Sequence, residues 1–331
     1  MAMGKHTPPT VITPANIGTV SGPIVVRERQ IGEFSGSSFY ILESSVVKPR
    51  QANILVWGLD KTGKTTFVTD YCPDPIAFIS IDRRGEDAVK KAQRNGRRIL
   101  FSDFSMPGTV AELGTESAQK FGEEALSLVR NNVLWAVRES VTDGECMKRF
   151  GSRLRTIFID TGAEMTEIIN LAISGRSDRA KWGDKGRSKA EANAEWRKIL
   201  DSCRDGKAHL IISGRQREIY LNDKGTGRYQ PRVSDIVHSS VDFAIETRIS
   251  DSTMPSLGSA GGATIGSVSG MMSGGVNNPR PPQFELRPSS CGINSAELGQ
   301  TYRATEWDLL GGPFVYACMR QWVGTTPEDW K

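Results

Sequence analysis

Short apolar runs alternate with longer stretches of mixed polarity between residues 51 and 250. The apolar runs are rich in β-branched residues, which is typical of strands buried on both faces of a sheet. They predict strands at residues 53–57, 76–81, 156–159, 209–212 and 241–245. The stretches between them predict helices at residues 64–71, 86–95, 115–138, 163–174 and 188–203. This alternation predicts an α/β fold with a mostly parallel, twisted sheet flanked by helices.

Both ends of the chain differ from this core. Proline and glycine punctuate residues 1–50, which predicts an N-terminal arm with short strands at 24–27 and 39–42. Glycine and serine dominate much of residues 251–278, which predicts a linker. Aromatic residues return in a C-terminal extension at 279–331. We expect this extension either to pack back on the core or to offer a contact surface to a partner.

Composition argues against membrane and secreted proteins. The apolar runs are too short to span a membrane, and the first residues lack the apolar stretch of a secretory signal. We therefore expect no membrane partner and a cytoplasmic location. The five cysteines are scattered without a CxxC pair, so we expect reduced, buried thiols and neither a disulfide framework nor a zinc site. His209 lies in an apolar run and is expected in the core.

A phosphate-binding pattern follows the first core strand. Residues 58–66 read Gly-Leu-Asp-Lys-Thr-Gly-Lys-Thr-Thr and contain the P-loop motif GxxxxGK[ST] at residues 58–65. A predicted strand precedes the motif and a predicted helix follows it. The glycines let the backbone wrap around phosphate, on which the loop amides and the helix N-terminus converge. Lys64 supplies a positive charge, and the Thr65 hydroxyl is placed to bind Mg²⁺. The predicted nucleotide-binding residues are Gly58, Leu59, Asp60, Lys61, Thr62, Gly63, Lys64, Thr65 and Thr66.

A second motif places Asp160 at the end of the apolar run at 156–159. In a P-loop protein, a carboxylate at this position holds magnesium through water, so Asp160 and Thr65 are the predicted metal residues. The alternative is an aspartate that caps a turn or a helix.

Hydrolysis also needs a residue that orients or deprotonates water. Three carboxylates qualify, and the sequence does not choose among them: Asp82 and Glu86 after the second core strand, and Glu164 after the acidic strand end. Arg215 and Gln216 follow the fourth core strand, where a polar residue is placed to sense the γ-phosphate. The alternative is that both are ordinary loop residues.

Basic residues cluster in two segments, although the net charge is only +4. Residues 176–189 contain six basic and two acidic residues, and residues 215–232 add five basic residues around Tyr220 and Tyr229. Basic side chains neutralise phosphates and aromatic rings stack on unpaired bases, which favours single-stranded DNA as a partner. The alternative is a pair of solvated surface loops. The candidate DNA-binding residues are Arg176, Arg179, Lys181, Trp182, Lys185, Arg187, Arg217, Arg228 and Tyr229.

The order of P-loop, acidic strand end and polar strand end resembles the RecA-like P-loop ATPase core over residues 51–250. More closely, it is similar to phage and prophage nucleotide-binding proteins, including single-strand annealing proteins. The resemblance implies ATP and Mg²⁺ as cofactors, DNA-stimulated ATP hydrolysis, and DNA bound by the loops after the third and fourth core strands. It also implies a homo-oligomer, phage or host replication and recombination proteins as partners, and the cytoplasm of a bacterial host cell.

One departure from the family affects catalysis. RecA-like enzymes carry a catalytic glutamate shortly after the second core strand, whereas Asp82 is followed here by two arginines and then by Glu86. An alternative function is therefore an ATP-switched interaction protein with little turnover, whose aromatic extension docks a replication or packaging partner. A third hypothesis is that the protein is a small-molecule P-loop kinase in which residues 176–187 form a basic lid.

Overall fold

The computed structural model describes residues 25–26, 44–46, 51–81, 85–104, 114–175, 185–221, 224–249, 284–291, 294–307, 310–322 and 324–330. The chain divides into two compact units. The first comprises residues 1–48 and 323–325, and in it strand β1 (Val25–Val26) pairs antiparallel with β2 (Ser44–Val46). The second comprises residues 49–322 and 326–331. The predicted strand at 39–42 and the predicted linker at 251–278 lie outside the described residues.

Within its described residues, the second unit contains an eight-stranded sheet. The strands are β3 (Asn53–Gly58), β4 (Ile76–Ser80), β5 (Ile99–Asp103), β6 (Thr156–Asp160), β7 (His209–Leu221), β8 (Lys224–Arg232), β9 (Phe243–Ile249) and β10 (Phe284–Cys291). Their order in the sheet is β10-β9-β3-β7-β6-β4-β5, with β8 paired to β7. The β3/β7, β3/β9, β6/β7, β4/β6 and β4/β5 pairs are parallel, whereas β7/β8 and β9/β10 are antiparallel. The predicted α/β fold with a mostly parallel sheet is confirmed.

Helices connect most of these strands. They are α1 (Lys64–Thr66), which continues as a π-helical turn (Phe67–Tyr71), α2 (Gly85–Arg94), α3 (Thr115–Val141), α4 (Glu145–Phe150), α5 (Gly162–Ser174), α6 (Lys185–Arg204), α7 (Asp235–Ser240), α8 (Ala304–Trp307) and α9 (Pro313–Gln321). Short 3₁₀ helices occur at Ser295–Glu297 and Pro327–Trp330. Among the described residues, none of the helices has the length and apolar character needed to cross a membrane.

The central strands are buried on both faces because helices cover both. On one face, strand residues such as Leu55 and Ile157 form a continuous core with Val129 of α3, Ile168 of α5 and Trp196 of α6. This double burial explains why β3, β4 and β6 are almost continuously apolar.

The C-terminal extension packs back on this unit. Strand β10 adds to the sheet beside β9, and the ring of Phe314 in α9 lies 6.3 Å from that of Phe67 and 4.9 Å from that of His209. Its buried aromatic residues are Tyr302, Trp307, Phe314, Trp322 and Trp330. These rings are part of the core of the unit and are not exposed to a partner, which removes them as the docking surface of the alternative function.

Residues 215–232 were predicted to form a basic loop, and this prediction was wrong because the segment forms a β-hairpin. Strand β7 continues to Leu221, and β8 returns antiparallel to it, pairing Arg215 with Arg232 and Glu218 with Tyr229. Backbone hydrogen bonds between two strands do not depend on apolar side chains, so a polar segment forms a β-hairpin that hydrophobic periodicity does not reveal.

Candidate nucleotide-binding site

Residues 58–66 wrap at the carboxyl end of β3. Gly58 has a φ of 154°, and a Cβ atom there would lie 2.5 Å from the carbonyl oxygen of Thr247. Gly63 adopts a left-handed conformation, with a φ of 95°, directly before α1. A side chain at Gly58 would collide with β9, and one at Gly63 would be strained. The two glycines therefore allow a tight loop between β3 and α1. The backbone amides at the start of α1 follow this loop directly, which is the arrangement that a phosphate site requires.

The side chain of Lys64 lies along this loop. Its ammonium group donates hydrogen bonds to the carbonyl oxygens of Leu59 at 2.6 Å and Gly58 at 3.2 Å. These contacts keep the positive charge beside the loop backbone, where phosphate oxygens would add to its hydrogen bonds.

Asp160 and Thr65 lie together, as the metal prediction requires. Asp160 is 5% exposed at the end of β6, and the Thr65 hydroxyl donates to its Oδ2 at 3.5 Å. The Ser213 hydroxyl of β7 donates to Oδ1. A carboxylate and a hydroxyl are the hard oxygen groups that suit Mg²⁺, so the residues present fit this ion.

Glu164 and Arg215 form an ion pair beside the P-loop strand. Arg215 Nη2 lies 2.8 Å from Glu164 Oε1, and the two side chains are 31% and 13% exposed. Arg215 is in register with Gly58 across the β3/β7 pair, and Glu164 lies in the first turn of α5, capped by the Thr161 hydroxyl. The pair therefore lies at the same edge of the sheet as the loop.

Residues 50–266, which are 217 of the 331 residues, match the family model described as an AAA domain. This chain belongs to the AAA domain family. No curated protein matches the chain. Family membership implies nucleotide binding, with ATP as the nucleotide, and the match includes the P-loop, Asp160, the Glu164–Arg215 pair and the β7–β8 hairpin.

The other catalytic candidates of this AAA domain are placed differently. Glu86 lies in the first turn of α2 and pairs with Lys90 at 2.6 Å, and both side chains are more than half exposed. Gln216 follows Arg215 on β7, in register with Pro231. Asp82 lies outside the described residues. Glu164 is thus the described carboxylate candidate that is largely buried and held beside the P-loop strand.

The candidate DNA-binding residues are only partly described. Arg176, Arg179, Lys181 and Trp182 lie outside the described residues, and only the backbone of Lys185 and Arg187 is described, in α6. The hairpin residues are placed: Arg217 lies 3.0 Å from the side-chain amide of Gln230, Arg228 is exposed, and Tyr229 is 49% exposed.

Two residues of the site belong to no recognisable sequence motif. Ser213 binds Asp160, and Thr247 contacts the P-loop through a hydroxyl–hydroxyl hydrogen bond of 2.7 Å to Thr62. Both are small hydroxyl residues near the carboxyl ends of parallel strand segments, which is the edge where α/β sheets bind ligands. Their positions shortly after the predicted strands at 209–212 and 241–245 are the sequence signal that could have identified these two residues.

Proposed function

We propose that this AAA domain is a Mg²⁺-dependent, RecA-like ATP hydrolase of phage type that binds single-stranded DNA and supports annealing, recombination or replication. The observation that carries the proposal is the continuity of β7. This strand runs beside the P-loop strand, passes Arg215 at the nucleotide site, and continues into a hairpin with exposed basic and tyrosine side chains. A change at Arg215 therefore reaches the hairpin through one backbone segment.

The nucleotide chemistry follows from the carboxyl-end cluster. Lys64 and the amides of the loop would bind the phosphates, and Thr65 with Asp160 would hold Mg²⁺, which neutralises charge on the phosphate oxygens. Glu164 would orient the attacking water, and Arg215 would contact the γ-phosphate. Contact with γ-phosphate competes with the Arg215–Glu164 ion pair, so nucleotide state would change the position of both side chains.

Two tyrosine side chains of the hairpin are exposed. Glu218 pairs with Tyr229 across the hairpin, and Tyr220 lies two residues further along β7, beyond an irregularity in the pairing register. Tyr220 is 65% exposed and Tyr229 is 49% exposed. Exposed rings suit stacking on unpaired bases, which a duplex does not present.

Charge in the hairpin supports the same partner. Lys224 and Arg228 are exposed near the hairpin turn, within a segment that has five basic and two acidic residues. Basic side chains at this position would neutralise backbone phosphates while the tyrosines stack on bases. A homo-oligomer on DNA, assisted by phage or host replication or recombination proteins, is part of the proposal.

Equilibrium binding of a fluorescent oligothymidine over a salt series tests the hairpin. Replacing Tyr220 and Tyr229 by Ala should cost about 1–3 kcal/mol per stacked base and leave the salt slope unchanged. Replacing Lys224 and Arg228 by Ala should lower the slope of log K against log salt by roughly 1.4, because each phosphate contact on a single strand contributes about 0.7.

A charge-matched control variant carries Lys148→Ala and Lys198→Ala, two exposed lysines on α4 and α6. It should bind the oligonucleotide with the wild-type affinity and slope. Wild-type binding by both hairpin variants would contradict the assignment of the hairpin to DNA.

A second candidate function is an ATP switch with little turnover. One observation favours it: both described acidic candidates for water activation are engaged by a cation, Glu164 by Arg215 and Glu86 by Lys90. Single-turnover hydrolysis distinguishes the two functions, because a switch would hold ATP unhydrolysed with single-stranded DNA present or absent.

A further inference from the structure

A hydroxyl group of β9 contacts the P-loop from the sheet. Thr247 is 1% exposed, and its Oγ1 lies 2.7 Å from Oγ1 of Thr62 and 3.3 Å from the carbonyl oxygen of Trp57. Thr247 also packs directly on Gly58, where a Cβ atom would lie 2.8 Å from its hydroxyl oxygen. A strand other than the P-loop strand therefore fixes the inner side of the loop.

A chain of hydrogen bonds links this contact to Lys64, the lysine of the P-loop. The Thr62 hydroxyl donates to the carbonyl oxygen of Leu59 at 2.8 Å, and that same oxygen accepts from the Lys64 ammonium group at 2.6 Å. Each hydroxyl has one proton. When Thr62 donates to Leu59, Thr247 is therefore the donor to Thr62 at 2.7 Å and does not donate to the more distant Trp57 carbonyl at 3.3 Å. In this arrangement the hydrogen bonds run from β9 to the carbonyl that holds Lys64.

The outer side of the loop is exposed, which makes this inner attachment important. Leu59 is 61% exposed, and Asp60 and Lys61 are also exposed, whereas Thr62 is 5% exposed. An exposed loop between two regular elements has low local stability unless its backbone is tied to the scaffold. The Thr62–Thr247 hydrogen bond supplies such a tie at the buried end of the exposed segment.

We propose that Thr247 is a positioning residue of the nucleotide site, whose hydroxyl holds Thr62, and through it the Leu59 carbonyl and Lys64, in the arrangement that receives a β-phosphate. The inference rests on nucleotide binding by the P-loop. Because the loop encloses the β-phosphate, ADP, ATP and inorganic tripolyphosphate should all depend on Thr247 to the same degree.

Calorimetric titration of the full chain with MgADP and with a non-hydrolysable ATP analogue tests the role. Thr247→Val keeps the shape of the side chain and removes the hydroxyl, so it should weaken both ligands about five- to tenfold, as expected for one lost hydrogen bond. Thr247→Ser restores the hydroxyl and should bind both ligands within about twofold of wild type. Thr142→Val, an exposed threonine at the end of α3, is the matched control.

The loop-side variant Thr62→Val completes a double-mutant cycle. Removal of either hydroxyl breaks the same hydrogen bond, so Thr62→Val should also weaken the binding of both ligands. The affinity of the double variant should be no lower than that of the single variant with the lower affinity. Thr62→Val leaves β9 intact, so it keeps the test decisive if Thr247→Val fails to fold.

Three outcomes would overturn the assignment. They are wild-type affinity in Thr247→Val, wild-type affinity in Thr62→Val, and single-variant losses that multiply in the double variant. A wild-type chain that binds neither ligand would instead overturn the proposed nucleotide function, so the two failures are distinguishable.

Discussion

Asp160 is held from two sides at the carboxyl end of β6. Thr65 and Ser213 both donate to its carboxylate, so its charge is fixed next to the residue that would bind magnesium. Asp160→Asn keeps the shape and removes the charge. We expect Mg²⁺-dependent ATP hydrolysis to fall by about 10- to 100-fold, the usual effect of changing a group that acts on a metal through water.

The measurement for Asp160→Asn is turnover against Mg²⁺ concentration, with Asp143→Asn as the control. Asp143 is an exposed aspartate paired with Arg153, so its variant should follow the wild-type curve. Equal magnesium dependence in Asp160→Asn and wild type would show that Asp160 is an ordinary buried carboxylate.

Replacement of Glu164 and replacement of Glu86 should have different effects on ATP hydrolysis. Glu164 is 13% exposed and paired with Arg215, whereas Glu86 is 55% exposed and paired with Lys90. Glu164→Gln should slow single-turnover hydrolysis by about 10²- to 10⁴-fold and leave ATP bound, because it removes the group that orients water. Glu86→Gln should hydrolyse at the wild-type rate, and the reverse pattern would move catalysis to α2.

His209 makes stability dependent on pH. Burial, with Arg155 nearby, lowers the pKa of His209 to about 3, and its Nδ1 accepts a hydrogen bond from the Ala52 amide at 2.9 Å. The unfolded chain, with a histidine pKa near 6.5, takes up the proton first. The contribution of His209 to the free energy of unfolding is therefore fully present above pH 6.5. It declines between pH 6.5 and 3, by at most about 1.4 kcal/mol per pH unit.

Urea unfolding at pH 7.5, 6 and 5 measures this dependence. His209→Gln keeps an acceptor for Ala52 without a titrating group, so its free energy of unfolding should decline less between pH 6.5 and 5 than that of the wild type. Parallel decline in the two proteins would assign the acid sensitivity to other groups.

At the scale of elements, Phe314 connects the C-terminal extension to the P-loop helix. Its ring is fully buried and contacts Phe67, three residues after the P-loop lysine. Phe314→Ala should cost about 3–5 kcal/mol of stability, since it leaves a large cavity under the helix. The control Leu298→Ala removes a side chain that is 54% exposed in the same extension and should change stability little.

Thermal and urea unfolding of the two variants provide the comparison. A loss in Phe314→Ala no larger than in Leu298→Ala would show that the extension does not stabilise the nucleotide-binding unit.

Elements with buried apolar runs were predictable from the sequence, whereas elements built on backbone pairing were not. Strand β6 and helix α5 lie within one residue of their predicted bounds, because apolar periodicity reflects burial. Strand β8 has no such pattern, because five of its nine residues are charged or glycine. Strand β5 was missed because only its first residue is buried.

At the scale of the whole molecule, strand order was the part that the sequence did not contain. The P-loop and Asp160 were recognised from motifs, but β7 lies between their strands, and chain order does not reveal this. The contact of Thr247 with Thr62 joins residues 185 positions apart for the same reason. Local pattern predicts what each residue is suited to do, and tertiary pairing decides which residues meet.

The arrangement of β7 predicts that the nucleotide site and the hairpin act together. Arg215 lies on the strand between the P-loop and the exposed tyrosines, so DNA bound at the hairpin should alter nucleotide affinity at the P-loop, and nucleotide should alter DNA affinity in return. We expect the same contact to alter the rate of hydrolysis.

The most direct measurement is steady-state ATP hydrolysis with and without single-stranded DNA, with Lys64→Ala as the blank. Wild-type turnover should rise when DNA is added, Lys64→Ala should show no turnover, and the Tyr220→Ala, Tyr229→Ala double variant should keep basal turnover and lose the rise. Turnover that is the same with and without DNA, or that persists in Lys64→Ala, would contradict a DNA-stimulated ATPase at this P-loop.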